Sequence, residues 1–208
     1  MQLCSEGILS QRQTLPITAS KQLNITFDEH DVHLQLPKEV LTEDMSLEAA
    51  FAPFSDTGPF VFPEGMVPIS PIVWFCLHPQ REFTEPATIQ LPHSFTCNSS
   101  EESDLLYFLK AEHQDILVDK NGQTIIKFKA VSKIESEFPL GSQHGILKDH
   151  HFCIYCVSYL GLREELLESV QYRLTILKPV TYPREETKKI YCILHYNLKK
   201  TCNKVSAL

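Results

Sequence analysis

"VPISPIVWFCLHPQREFTEPATIQLPH" runs from Val67 to His93, and its reading decides the fold. The run Ile72-Val73-Trp74-Phe75-Cys76-Leu77 is apolar throughout, rich in β-branched and aromatic residues, and short. That combination suits a strand buried on both faces better than a helix. Ala87 to Leu91 is a second, shorter strand held between Pro86 and Pro92. Prolines fit at strand ends because they cannot donate a ladder hydrogen bond.

The pattern extends upstream. Leu23, Ile25 and Phe27 alternate with polar residues, and so do Val32, Leu34 and Leu36. Alternation with period two marks half-buried strands. Asp28-Glu29-His30-Asp31 between them reads as a turn, which makes the pair a hairpin ended by Pro37. Leu47, Ala49 and Phe51 alternate again. Pro53 to Pro68 reads as a long loop whose aromatics Phe54, Phe60 and Phe62 are candidate contact residues, or else pack beneath it. Residues 1–19 carry no sustained period and read as a flexible lead-in.

Downstream, Leu105 to Ala111 and Ile125 to Ala130 read as strands with the turn signal Asn121-Gly122 between them. His151 to Leu160 is a further strand. Short strands spaced by turns predict an all-β antiparallel sandwich over residues 20–160. Leu162, Leu166 and Val170 then recur every fourth residue, which predicts a short linker helix. Arg173 to Leu177 and Ile190 to Tyr196 read as two strands, and Leu198 to Val205 as a closing helix. Residues 161–208 thus predict a linker helix and an incomplete second β unit.

The 208 residues carry a formal charge of −7, which disfavours nucleic-acid binding, since that function needs a basic face. Met1 to Ser20 lacks the basic and apolar regions of a signal peptide, and no stretch approaches the length of a membrane span. A cytoplasmic location is therefore expected, with no membrane insertion. The seven cysteines are then expected as reduced thiols, and their odd number does not complete a disulfide framework. Glycine-rich phosphate loops and Gly-x-Ser-x-Gly are absent, so no cofactor is expected.

"DHHFCIYCV", from Asp149 to Val157, is the chemically dense stretch. Cys153-Ile-Tyr-Cys156 has redox or zinc spacing, but Ile, Tyr, Val and Ser around it favour a strand. Residues three apart on a strand face opposite sides, so the thiols are expected to diverge. No second such pair completes four ligands, Cys192 and Cys202 have no supporting spacing, and no metal is expected. Each cysteine then reads as a small buried hydrophobe.

Val67 to His93 also resembles the signature of the ZU-five domain of zonula occludens proteins, netrin receptors and ankyrins. The resemblance rests on Ser70-Pro71-Ile72-Val73, His78-Pro79, Phe83-Thr84-Glu85-Pro86 and Leu91-Pro92-His93. Upstream, Val32-His-Leu-Gln-Leu-Pro37 followed by Val40-Leu41 is similar too, with Lys38-Glu39 where the family carries Glu-Gly. The resemblance covers residues 20 to 157, and the tail around Tyr182-Pro183-Arg184-Glu185-Glu186 resembles the opening of a UPA unit.

This resemblance implies an intracellular protein–protein interaction module of scaffold or signalling type, with a partner of cytoskeletal or death-domain kind. It also raises an alternative. Some relatives cleave themselves at His-Phe-Ser, and His151-Phe152-Cys153 stands at the corresponding place, with Cys153 for Ser. A single-turnover autoprotease would use the Cys153 thiol to attack the Phe152 carbonyl, forming a thioester that water hydrolyses. His151 or His113 would be the base, and Glu135 an assisting carboxylate.

Overall fold

The computed structural model describes residues 10–17, 24–38, 45–52, 59–80 and 82–161, with the backbone strands 172–177 and 191–196. Numbered in chain order, β1 (Ser10–Ile17), β4 (Met45–Ala52), β7 (Ile72–His78), β15 (Ile154–Leu160), β9 (Leu106–Ala111) and β12 (Lys129–Ala130) lie side by side in that order. β6 (Met66–Pro68) also pairs with β15 and completes a seven-stranded sheet. A second sheet runs β13 (Ser136–Glu137), β14 (His144–Asp149), β8 (Ala87–Pro92), β3 (Val32–Gln35), β2 (Asn24–Phe27). A small third sheet joins β10 (Ile116–Val118), β11 (Thr124–Lys127) and β5 (Phe60–Val61). Among the described strands all pairings are antiparallel except that of β5 with β11.

The first core fills the space between the two large sheets. Val73, Phe75 and Leu77 of β7 meet Leu34, Ile89, Leu91 and Leu147 there. The opposite face of β7 carries Ile72, Trp74 and Cys76 into a second core, roofed by Ile126, Phe128, Phe60 and Phe62 near the small sheet. This explains the unbroken apolar run: β7 has no solvent face. Burying one such side chain contributes about 1.5–3 kcal/mol relative to exposure. Phe60 and Phe62 accordingly pack on Phe128, with ring centroids 6.1 and 5.2 Å away, rather than standing free as contact residues. Phe54 lies outside the described residues.

Several elements depart from expectation. Ser10–Ile17, placed by sequence in a flexible lead-in, is an edge strand paired with β4 in the register Leu15↔Leu47 and Ile17↔Met45. Leu15 and Ile17 reach the first core while Pro16 stays exposed, a position an edge strand tolerates. The long loop before Pro68 contains β5 and β6. The described helix is α1 (Ser100–Asp104), N-capped by the Ser99 side chain, which accepts from Glu102 N–H. The expected helices near 162–170 and 198–205 lie outside the described residues. β16 (Tyr172–Leu177) and β17 (Tyr191–Tyr196) form the expected tail hairpin, in the register Leu174↔Leu194.

β14 was not legible, and its Gly145 shows why. A Cβ there would come within 2.5 Å of Phe138 and 2.8 Å of Phe108. The aromatic pair needs the glycine, and the glycine erases the alternation that would announce a strand.

Ser70-Pro71 breaks one edge of β15 into β6 and β7. Here the Val157 N–H of β15 finds its acceptor in a side chain: Ser70 Oγ accepts it at 2.7 Å and itself donates to the Pro71 carbonyl at 2.8 Å. Ile69 N–H donates to the Val157 carbonyl at 2.9 Å. Ser70→Ala strands a buried Val157 N–H. Urea unfolding of this variant is expected to show a loss of about 1–3 kcal/mol, and an unchanged midpoint would contradict the role given to this hydroxyl.

Candidate functional site

A cleft of about 600 Å³ opens where the end of β7, the segment after β9 and the residues before β15 converge. Its wall and floor hold Cys76, Leu77, Phe152 and Cys153, and its rim holds Gln80, Glu82, Glu112, His113, Gln114 and His151. All four residues singled out for self-cleavage, His113, His151, Phe152 and Cys153, therefore line one cavity. Glu135 does not: it is exposed in a turn whose carbonyl accepts from Lys148 N–H.

His113 opens a single 3₁₀ turn, His113–Asp115, and is exposed. The turn is fixed by Glu112 N–H donating to Asp115 Oδ2 at 3.1 Å, and Asp115 is ion-paired to Lys129. His151 is half-buried, with Nε2 3.3 Å from Glu112 Oε1 and Nδ1 3.6 Å from Asp149 Oδ1. Lys110 binds the same two carboxylates, at 3.4 Å to Glu112 and 3.3 Å to Asp149. Burial opposes the Lys110 ammonium, but Asp149 and Glu112 outweigh it and raise its pKa above the ordinary value.

Beneath this network lies Tyr155, buried completely. Its hydroxyl donates to the His151 carbonyl at 2.7 Å and contacts Asp149 Oδ2 at 3.2 Å. Phe152 is anchored by Phe83 in an edge-on contact, centroids 5.1 Å apart, and by Phe75 at 5.6 Å. His150 closes the same corner: its carbonyl accepts from Phe83 N–H at 2.6 Å, and its Nδ1 lies 3.0 Å from the Phe83 carbonyl. The residues before β15 are thus pinned by main-chain and aromatic contacts on several sides.

Cys153 is 6% exposed, and its thiol donates to the Ile154 carbonyl at 3.8 Å. Among the described residues no histidine is hydrogen-bonded to it. Burial pushes its pKa up to about 12. Thiolate chemistry at neutral pH needs the opposite shift, from a cationic or hydrogen-bonding environment. Among the described non-glycine residues the one with positive φ is Asp31, and His151, Phe152 and Cys153 are not among such positions. Cys153 points into the first core and Cys156 into the second, so the two sulfurs diverge as their spacing on a strand predicts.

Sequence reasoning missed Lys110, Glu112, Asp149 and Tyr155. Asp149 and Tyr155 lie inside the stretch that drew attention, yet a period-two reading does not show that a tyrosine reaches back to a carbonyl four residues earlier. Lys110 and Glu112 arrive through the pairing of β9 with β15, in which Lys110 faces Tyr155.

No protein-family model matches this chain, and no curated protein matches its sequence. No helix among the described residues is long and apolar enough to cross a membrane.

The thiol yields a direct expectation. The folded state holds the Cys153 proton more tightly than the unfolded chain, whose thiol titrates near 9.0. The stabilisation is complete below that pH and is lost as pH rises toward about 12. In peptide-resolved alkylation at pH 8, Cys153 should remain unmodified in native protein and react fully in denaturant. Rapid native labelling at Cys153 would contradict the burial described.

Proposed function

We propose that this chain is a non-catalytic protein–protein interaction module of ZU-five type, serving as an intracellular scaffold or signalling element. One observation carries the choice between binding and chemistry: the only nucleophile in the cleavage-like segment is a buried, protonated thiol bonded to a main-chain carbonyl. The segment is built as structure, and the cleft above it is left for recognition.

The cleft suits an extended peptide. Leu77 and Phe152 offer an apolar floor, and Glu82 with Gln80 offers a carboxylate and an amide on the rim, Glu112 being already paired with Lys110 and His151. Such a rim favours a segment carrying lysine or arginine beside an apolar anchor, and the chain's net charge of −7 steers a basic partner toward it. The cytoskeletal or death-domain character of that partner rests on the family resemblance alone.

A second reading has its own support. His113, His151, Phe152 and Cys153 do meet in one cavity, which is the arrangement a self-cleaving segment requires. In that reading a movement of β15 frees the thiol and brings a histidine to it.

The interaction reading is tested with a peptide array of varied charge, probed with the wild-type chain and Glu82→Lys. Basic peptides with one large apolar residue should be retained, with binding weakened by the variant and by salt. Retention indifferent to peptide charge and to Glu82→Lys would contradict the assigned cleft chemistry.

A further inference from the structure

A second cluster sits well away from the cleft, on the outer face of the five-stranded sheet, and is independent of the function proposed above. Asp31 lies in the turn between β2 and β3, His33 on β3 and His144 at the start of β14. Val32 and Leu34, like Gly145 and Leu147, point into the core, so His33 and His144 project from the opposite face. They flank β8, where His33 is opposite Gln90 and His144 opposite Pro92.

The three side chains converge. His144 Nε2 is 3.1 Å from Asp31 Oδ2, and His33 Nε2 is 3.4 Å from Asp31 Oδ1. All three donor atoms fall within 4.8 Å of one another. Both contacts have ion-pair geometry when the imidazoles are protonated, and His144 Nε2, though shielded from solvent, makes no well-directed hydrogen bond. With neutral imidazoles the three side chains are close enough to share one ion. At the far side of the His33 ring, Nδ1 lies 3.3 Å from Thr26 Oγ1. With Nδ1–H donating to that hydroxyl, Nε2 is the lone-pair donor, the usual way a metal-binding imidazole is oriented.

We propose that Asp31, His33 and His144 form a binding site for a divalent transition-metal ion of zinc type. Two imidazoles and one carboxylate are a borderline donor set, matched to zinc or cobalt rather than to calcium or magnesium. Donors about 2.0–2.2 Å from a tetrahedral ion stand roughly 3.4 Å apart, and each imidazole nitrogen lies at about that distance from a different oxygen of Asp31. His33 and Asp31, with side chains 41% and 37% exposed, leave the remaining coordination position open to water or to a partner's side chain on their side of the cluster.

The test is a titration of the chelator-stripped full chain with cobalt(II), followed by displacement with zinc. One equivalent should give visible ligand-field bands without the thiolate charge-transfer band that cysteine ligands would add. His33→Ala and His144→Ala should each abolish the bands while circular dichroism stays unchanged, because both residues lie on an outer face. Thr26→Val should weaken binding by about tenfold, as loss of an orienting partner does. Absence of stoichiometric cobalt binding, a thiolate band, or bands that persist in both histidine variants would each overturn the site.

Discussion

β15 is hydrogen-bonded along both edges and buried on both faces, and the rest of the molecule is arranged around that constraint. On one side it pairs with β9 from Ile154 to Tyr159. On the other it meets β7 and then β6, with the Ser70 hydroxyl bridging the interval where Pro71 has no N–H to give. Neither face is free: Tyr155, Val157 and Tyr159 fill the core between the large sheets, while Ile154 and Cys156 fill the one beneath the small sheet. A buried strand must satisfy every backbone polar group, and at the Ser-Pro step the Ser70 hydroxyl supplies the acceptor for the Val157 N–H.

The chemistry of the cleft follows from the same constraint. Residues 149–153 enter β15 already tied down, by Tyr155 to the His151 carbonyl, by Asp149 to Lys110 and by Phe152 to two aromatic rings. Such anchoring holds the floor of the cleft in place. It also puts Cys153 where desolvation keeps its proton in place, because a thiolate there would lose hydration with no cation bonded to the sulfur. Packing and reactivity therefore oppose each other at this residue, and packing prevails.

The all-β class, the hairpin of β2 and β3, the doubly buried β7 and the divergence of Cys153 from Cys156 were all legible, because each depends on a local period. β1 was not. Its polar, proline-bearing sequence joins the sheet through pairing with β4, which no local pattern records. β14 was hidden by Gly145, chosen for the Phe108–Phe138 pair rather than for strand propensity. Of the candidate site, His151, Phe152 and Cys153 were visible as a contiguous run, whereas their charged neighbours Lys110 and Glu112 come from a strand paired across the sheet. The Asp31–His33–His144 cluster escapes sequence reading for the same reason: Asp-x-His is too short a signal, and its third member is brought in across β8.

An intact run from His151 to Cys153 distinguishes a structural strand entrance from a processing site. The intact mass of the purified chain under denaturing conditions decides it. The structure predicts a single species of 208 residues, unchanged in behaviour by Cys153→Ala. Two fragments, one ending at Phe152 and one beginning at Cys153, absent from the Cys153→Ala variant, would contradict it and make the strand entrance a processing site.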